Sequence, residues 1–263
     1  MATNITIGFS PCPNDTYMFA ALINGWIETG DLHFQARMGD IESLNEWAEM
    51  SLLDFTKMSF NRFFGLEDRY RLLSSGAALG RGCGPLVIAS HPMDSSAVQK
   101  GSVAIPGVWT TAHLLFSIFY PEASNKQFMA FNGIEEAVLN GSVDAGVIIH
   151  ENRFTYQEKG LVKITDLGEA WENKTKLPIP LGGIFGSVAL PSKTIQQVEG
   201  LIRESILFAH SNPEKVLPYV RQYAQEMDDE VMKNHIALYV NDFSLDLGKE
   251  GRTAIAALKN ILP

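Results

Sequence analysis

Short stretches of apolar residues recur along the chain between polar, glycine or proline residues, a pattern typical of buried or half-buried strands. In the first stretch Ile5, Ile7 and Phe9 alternate with other residues and share one face. Further strands are predicted at residues 33–38, 55–58, 70–73, 85–90, 103–105, 126–130, 145–149, 161–165 and 186–190.

Apolar residues at helical spacing predict helices between many of these strands. Asn14 or Asp15 is suited to cap the first helix, and Asp40 the second. Thr110 or Thr111 can cap the third. The helices are expected at residues 17–23, 41–48, 114–119, 134–139 and 167–174, and from residue 192 onward.

Strands that alternate with helices predict an α/β fold with largely parallel sheets. Two stretches, residues 91–101 and 178–185, are predicted to cross between two lobes. Lobe I would consist of residues 1–90 plus 186–263, and lobe II of residues 91–185 inserted between them. A cleft between two such lobes is the default site for a small ligand.

Two irregular loops are predicted from proline and glycine content. Pro11 and Pro13 argue against regular structure in residues 10–15. Residues 76–84 are rich in glycine and contain Arg81, but they lack the spacing of a P-loop or a dinucleotide fingerprint. We therefore predict no nucleotide site.

The composition is that of an ordinary globular protein. The 263 residues are 46% hydrophobic and 19% charged, with 21 basic and 30 acidic residues and a net charge of -9. This balance argues against general affinity for nucleic acid or anionic membranes. No apolar run approaches the roughly 18 residues that a membrane span needs, and the chain enters a strand pattern without a leader. We expect a cytoplasmic protein whose partner is a small molecule.

The cysteines and histidines do not show metal-ligand spacing. Cys12 and Cys83 do not belong to a CxxC pair, and two free thiols are expected, although the sequence leaves their pairing open. We expect no metal site at the histidines other than His150, which are His33, His91, His113, His210 and His235.

The strongest candidate for chemistry is His150. The apolar run at residues 145–149 stops abruptly at His150 and is followed by Glu151, Asn152 and Arg153. In open α/β sheets ligands bind beyond the carboxyl ends of strands, and imidazole has the side-chain pKa nearest neutrality. His150 is therefore a candidate general base. The alternative is a histidine that only ends a strand and bonds to a carbonyl.

Six segments of the chain carry a resemblance to one family. They are SPCPNDT at 10–16, KMS at 57–59, GRGCGPL at 80–86, PG at 106–107 with TT at 110–111, HENRFTY at 150–156 and PIPLGG at 178–183. SPCPNDT and HENRFTY are the specific ones. Together the segments resemble the 1,4-dihydroxy-6-naphthoate synthase family of the futalosine route to menaquinone. The match extends to about residue 190, and the helical tail is less diagnostic.

The resemblance implies a two-lobed fold of the type II periplasmic-binding-protein kind with a central cleft. It implies a carbon–carbon lyase that converts cyclic dehypoxanthine futalosine, a bicyclic carboxylate, into 1,4-dihydroxy-6-naphthoate and dihydroxyacetone without a cofactor. The family's base corresponds to His150. The positions that correspond to its ligand-contacting segments are Lys57, Met58, Ser59, Thr110 and Thr111. One departure is that Asn61 and Arg62 follow Phe60 where the family is expected to have His and Ala.

The chemistry of each of these residues suits contact with a small carboxylate. Thr110 and Thr111 lie at a predicted helix start, where free N–H groups and the helix dipole suit a carboxylate, unless they form an ordinary cap. Ser59 and the backbone of Met58 lie at a strand end. Lys57 is expected to pair with the substrate carboxylate or with an acid at the lobe surface.

Weaker candidates surround this set. Asn14 shapes the proline loop or contacts the ligand, and Arg81 either reaches an anion or is solvated. Arg153, together with Glu151, is expected to orient the histidine loop. A nucleophilic role for Cys12 would need an adjacent base, which the sequence does not establish.

Two other functions remain open on the sequence alone. A small-carboxylate binding protein without catalysis would have the same fold, and fold does not decide function. The sibling chorismate dehydratase also resembles this fold, although HENRFTY favours the synthase. The oligomeric state, the extent of lobe closure, the order of bond breaking and any second acid or base are left open.

Overall fold

The computed structural model describes residues 3–224 and 228–262, which fold into two mixed sheets flanked by helices. The strands of the first sheet are β1 (Thr3–Phe9), β2 (Leu32–Met38), β3 (Phe55–Ser59), β4 (Tyr70–Leu72), β5 (Ala78–Gly80) and β11 (Ile179–Ser187). The strands of the second sheet are β6 (Leu86–Ala89), β7 (Val103–Ile105), β8 (Lys126–Phe128), β9 (Ala145–Ile148) and β10 (Val162–Asp166).

Helices connect these strands, and a helical tail follows them. The helices are α1 (Pro13–Ile23), α2 (Ile41–Glu49), α3 (Phe60–Phe63), α4 (Ser95–Lys100), α5 (Thr111–Phe119), α6 (Ile134–Leu139), α7 (Asn152–Thr155), α8 (Leu167–Thr175), α9 (Ser192–Ser211), α10 (Pro213–Arg221), α11 (Asp229–Tyr239), α12 (Asp242–Leu245) and α13 (Gly248–Lys259). Among the described residues, none of these helices is long and apolar enough to cross a membrane.

The expectation of largely parallel sheets is wrong. In the first sheet, ordered β2-β1-β3-β11-β4, β1 runs parallel to β2 and β3, whereas β11 runs antiparallel to β3, β4 and β5. In the second sheet, ordered β10-β6-β9-β7-β8, β6 runs antiparallel to β9 and β10. The antiparallel pairs of the described strands therefore all involve β6, with which the chain enters the second sheet, or β11, with which it returns to the first. Hydrophobic pattern does not record strand direction.

The positions predicted for the two crossings are also wrong. β6 already belongs to the second sheet, where Leu86 pairs with Ile148, and residues 91–101 contain α4. Residues 179–185 are part of β11, whereas the strand predicted at 186–190 ends at Ser187. The register between β11 and β5 shifts after Pro180, and such irregularities let a sheet accept proline. The division into lobes of 1–90 plus 186–263 and 91–185 stays a prediction. β6, which it assigns to lobe I, pairs in the second sheet, and residues 179–185 of β11, which it assigns to lobe II, pair in the first.

Helix starts decide the shape of the loops near the cleft. α1 begins at Pro13, where proline is tolerated, so Asn14 and Asp15 lie in its first turn and are not its cap. The predicted caps Asp40 and Thr110 are confirmed: Asp40 accepts from two N–H groups of α2, and Thr110 accepts from one of α5. Part of the glycine-rich segment 76–84 is strand β5 and not loop.

Two large apolar clusters hold the elements in place. One packs β1 against α1 and α9 and includes Phe9 and Phe19, whose stacked rings lie 4.5 Å apart. The other joins both sheets, because it includes Met58 of β3, Val87 of β6 and Trp171 of α8. This shared core sets the spacing between the two sheets, and the cleft described below opens beside it.

Candidate functional site

A cleft between the two sheets encloses about 590 Å³, including open solvent at its mouth. Segments of both sheets and of the helical tail line it. Six of the predicted site residues lie in its walls, namely Asn14, Lys57, Ser59, Thr110, Thr111 and His150. The fold thus brings together residues that the sequence places in four separate segments.

Three predicted residues lie elsewhere in the described structure. The side chain of Met58 is fully buried in the apolar cluster that joins the sheets, because alternate residues of a strand face opposite sides. Arg81 lies at the surface and forms an ion pair with Glu250 at 2.8 Å. Arg153 forms an ion pair with Asp166 at 2.8 Å, which ties the segment after His150 to β10. These side chains support the walls and do not line the cleft.

His150 occupies an unusual backbone position just beyond β9. Its φ of 59° lies in the left-handed region, which costs a non-glycine residue about 1–2 kcal/mol, so the surroundings must hold it there. The ring packs edge to face on Phe131, with 4.9 Å between centroids, and its Nδ1 lies 3.5 Å from Sγ of Cys12. Nε2 is buried and has no hydrogen-bond partner in the described part of the chain.

The electrostatic surroundings keep His150 neutral. Burial, and then the positive charge of Lys57, lower the pKa of His150 to about 4. At neutral pH the ring therefore keeps a lone pair that can accept a proton. Among the described residues its polar contact is a thiol and not the backbone carbonyl that the alternative interpretation required.

Lys57 is held in a buried ion pair. Its Nζ pairs with Oδ1 of Asp15, which also accepts from the side-chain amide of Asn14 at 2.8 Å. Oδ2 of Asp15 accepts from the backbone N–H of Ser10 at 2.9 Å and from its hydroxyl at 2.6 Å. The described partner of Lys57 is thus an internal acid and not the surface acid that the sequence suggested. This network fixes the SPCPND loop against β3.

The N-terminus of α5 forms another wall of the cleft. Thr110 Oγ1 accepts from the N–H of His113 at 3.1 Å, as an N-cap does, and Thr111 Oγ1 donates to the carbonyl of Leu181 in β11 at 2.6 Å. The first turn of a helix leaves N–H groups without an intrahelical partner. This end of α5 therefore offers an anion both N–H donors and the positive end of a helix dipole.

The segment that departs from the expected family pattern connects the two walls. Asn61 donates from its side-chain amide to the carbonyl of Thr110 at 3.2 Å, and its backbone N–H lies 3.5 Å from Oγ1 of Thr111. Ser59 donates from its N–H to Asn45 at 2.9 Å and accepts back from the Asn45 amide at 3.2 Å. The departure therefore concerns packing around the α5 terminus.

Glu42 makes a second link across the cleft that sequence reasoning missed. Both of its carboxylate oxygens accept from the backbone N–H of Trp109, at 3.1 and 3.2 Å. Arg62 stacks on the ring of Trp109 at 4.1 Å from the centroid. Since Glu42 lies on α2 and Trp109 just before α5, the contact holds the two sides of the cleft together.

The helical tail contributes His235 and Tyr239 to the cleft wall. They are four residues apart on α11, so they share one helix face, which is the one signal the sequence offered. The Tyr239 hydroxyl donates to the carbonyl of Cys83 at 3.1 Å. His235 is 1% exposed, and neither of its ring nitrogens has a hydrogen-bond partner among residues 3–224 and 228–262. Burial lowers its pKa well below the usual value, so this ring is neutral too.

Cys12 and Cys83 are both free and buried, as expected. Burial, and then the charge of Glu151, raise the pKa of the Cys12 thiol, so it stays protonated at neutral pH. One potential ligand atom each from Cys12, His150 and Glu151 lies within 4.8 Å of the others, a donor set that suits zinc. The absence of a metal site therefore stays a prediction.

Comparison with known proteins places the chain in a family. A family model described as menaquinone biosynthesis matches residues 5–262. The chain belongs to this menaquinone biosynthesis family. It is 44% identical over 254 residues to 1,4-dihydroxy-6-naphthoate synthase of Thermus thermophilus, with 97% of this chain and 92% of the relative covered. The resemblance predicted from SPCPNDT and HENRFTY is confirmed.

Solved structures agree with the predicted fold. A crystal structure of a protein from Archaeoglobus fulgidus matches this menaquinone-biosynthesis chain with a TM-score of 0.92 and 34% identity, covering 98% of this chain and 96% of that one. A Candida albicans protein described as having the generic periplasmic binding protein structural fold matches with a TM-score of 0.70 at 12% identity, covering 99% and 91%. The second likeness concerns the fold alone. The two-lobed periplasmic-binding-protein-like fold is confirmed.

Proposed function

We propose that this member of the menaquinone biosynthesis family is a carbon–carbon lyase. It converts cyclic dehypoxanthine futalosine into 1,4-dihydroxy-6-naphthoate and dihydroxyacetone, with His150 as general base and no cofactor. The observation that carries the proposal is the buried Nε2 of a neutral imidazole in the cleft, for which residues 3–224 and 228–262 provide no hydrogen-bond partner. The 44% identity to a named naphthoate synthase supports the choice of reaction. Its action in the cytoplasm stays a prediction.

The position of His150 suits proton abstraction. A positioned general base contributes roughly 10²–10⁴ in rate, and aromatisation of the second ring provides driving force for the bond cleavage. A pKa of about 4 in the free protein makes the base weak. A bound carboxylate brings a negative charge into the cleft, and this raises the pKa of the imidazole toward the working pH.

The N-terminus of α5 suits the carboxylate of the substrate. Thr110 and Thr111 begin α5 and line the cleft, so the positive end of this helix dipole lies at the cleft wall. Ser59 adds a hydroxyl on the first-sheet side. Because Lys57 is already paired with Asp15, we assign it an electrostatic role, which is to keep His150 unprotonated.

Turnover of the cyclic substrate tests the proposal. The purified protein should consume cyclic dehypoxanthine futalosine and release 1,4-dihydroxy-6-naphthoate, followed by mass spectrometry, while chorismate remains intact. His150→Asn should lower kcat by at least about 10²-fold with product binding retained. His33→Asn, at an exposed site on β2, is the matched control and should behave as wild type. Near-normal turnover by His150→Asn would remove this residue from the mechanism, and binding without turnover by the wild type would favour a passive binding protein.

A further inference from the structure

His235 is a buried polar group whose ring nitrogens both lack a hydrogen-bond partner in the described part of the chain. It lies in the cleft wall on α11 at 1% exposure, and no described residue hydrogen-bonds to Nδ1 or Nε2. Oε2 of Glu151 lies 4.0 Å from Nε2, beyond hydrogen-bond distance. Two aromatic rings contact the imidazole, Tyr239 at 4.6 Å and Phe154 at 6.4 Å between centroids.

Such a group destabilises the folded protein unless another group hydrogen-bonds to it. A buried polar group left without a partner costs about 1–3 kcal/mol, and buried polar groups in proteins are almost always hydrogen-bonded. An apolar side chain of similar size would pack in this aromatic environment without that cost. Where a local rule of folding is broken in this way, the usual reason is a functional site.

The chemistry of a neutral imidazole indicates which ligand group would satisfy its hydrogen-bonding nitrogens. One ring nitrogen carries N–H and donates, while the other accepts. A hydroxyl group also donates and accepts, whereas a carboxylate only accepts. In the proposed function the carboxylate binds at the N-terminus of α5, which lines the same cleft.

We infer that His235 binds a hydroxyl-bearing part of the cyclic carboxylate substrate, opposite the end that holds the carboxylate. This inference rests on the proposed function and adds to it a second imidazole that contacts the substrate. Burial keeps the His235 ring neutral, which matches hydrogen bonding to a hydroxyl and not ion pairing. The two histidines then have different roles: His150 accepts a proton, and His235 orients the hydroxylated part of the ligand.

Paired ligands test this directly. The affinity of the wild type for 1,4-dihydroxy-6-naphthoate, kept reduced, is compared with that for 2-naphthoate, which has the same skeleton and carboxylate but no hydroxyls. The wild type should bind the dihydroxy acid about tenfold more tightly, the value of one or two neutral hydrogen bonds. His235→Phe should lose this preference, and His235→Gln, which keeps a donor and an acceptor, should retain part of it.

Stability provides the second readout. If His235 serves the ligand, His235→Phe should unfold at the same urea concentration as the wild type or a higher one, because it removes an unsatisfied polar group. If His235 is structural, this variant should be destabilised and the preference between the two acids unchanged, which would overturn the inference. His210→Phe is the control, since His210 lies outside the cleft with Nδ1 3.3 Å from the Tyr17 hydroxyl, and it should leave the preference intact.

The outcomes separate this inference from the proposed function. Equal wild-type affinity for the two acids, together with turnover of the cyclic substrate, would refute the role of His235 and leave the lyase assignment in place. No binding of either acid and no turnover would refute the proposed function, and the inference with it. Should His235→Phe fail to fold, His235→Gln decides the matter by the same ratio of affinities.

Discussion

Replacing Lys57 with Met should weaken the fold and alter the pH dependence of turnover at the same time. Met keeps much of the volume of the side chain and removes the charge that pairs with Asp15 inside the protein. Breaking a buried ion pair from one side typically costs 3–5 kcal/mol. Asp15 keeps its hydrogen bonds from Asn14 and from the N–H and hydroxyl of Ser10, so we expect the lower end, about 3 kcal/mol.

Urea unfolding measures this loss. Domains of this kind have about 5–15 kcal/mol of stability, so Lys57→Met should remain folded at low temperature. Adding Asp15→Asn removes the uncompensated charge and should restore most of the stability. Lys259→Met is the control, because Lys259 and its partner Glu67 are 47% and 41% exposed, and it should cost no more than about 1 kcal/mol.

The same variant should alter catalysis through His150. The charge of Lys57 lowers the pKa of His150, and the charge of Asp15 raises it. Lys57→Met removes the positive charge and leaves the negative charge of Asp15 unpaired, so the pKa of His150 should rise. A base works when unprotonated, so the acid limb of the profile of kcat/KM against pH should move to higher pH. A stability loss below about 1 kcal/mol would contradict the cost expected for the ion pair with Asp15. An unmoved acid limb would refute the view that Lys57 acts by charge on the imidazole.

Three further predictions concern cleft closure, acid stability and metals. Glu42→Ala removes the acceptor for the Trp109 N–H and should weaken product binding about tenfold by isothermal titration, with thermal unfolding little changed; equal affinity would show that the contact does not hold the cleft closed. Folding lowers the pKa of His150, so the unfolded chain binds more protons than the folded one between about pH 6.5 and 4. The free energy of unfolding should therefore fall as pH falls through that window, and it should fall less in His150→Asn. Identical pH dependence of urea unfolding in the two proteins would contradict this. Dialysis against EDTA should leave turnover unchanged, whereas added Zn²⁺ should inhibit turnover by binding His150. The inhibition should be weaker in Cys12→Ala than in Cys83→Ala. Equal zinc sensitivity of the two variants would exclude Cys12 as a ligand.

Local patterns predicted the elements around the base well. The short apolar run that ends before His150 contains strand β9. Asp40 and Thr110, the polar residues before two helical apolar patterns, are the N-caps of α2 and α5 as predicted. These features depend on a few neighbouring residues, because strand burial and capping are satisfied within one element. The candidate base and the start of α5 in the same cleft could therefore be predicted from local sequence alone.

Relations between distant segments could not be predicted in this way. The partner of Lys57 lies 42 residues earlier, in a turn whose role looked like capping, and the link between Glu42 and Trp109 joins segments 67 residues apart. His235 lies in a tail that carries no motif, and its distinguishing property is the absence of described hydrogen-bond partners at a buried place. Hydrogen-bond satisfaction is a property of the packed structure and not of any one segment.

Local sequence was enough to predict the kinds of elements, the family to which the chain belongs and the position of the imidazole at the end of β9. The direction of the strands depends on how the chain folds, because β6 and β11 run against their neighbours where the chain passes between the sheets. Tertiary structure also decided the state of that imidazole, because burial and the charge of Lys57 act through space. Periodicity registers which face of a segment avoids water, whereas charge and orientation across a cleft depend on segments that meet only when the chain has folded.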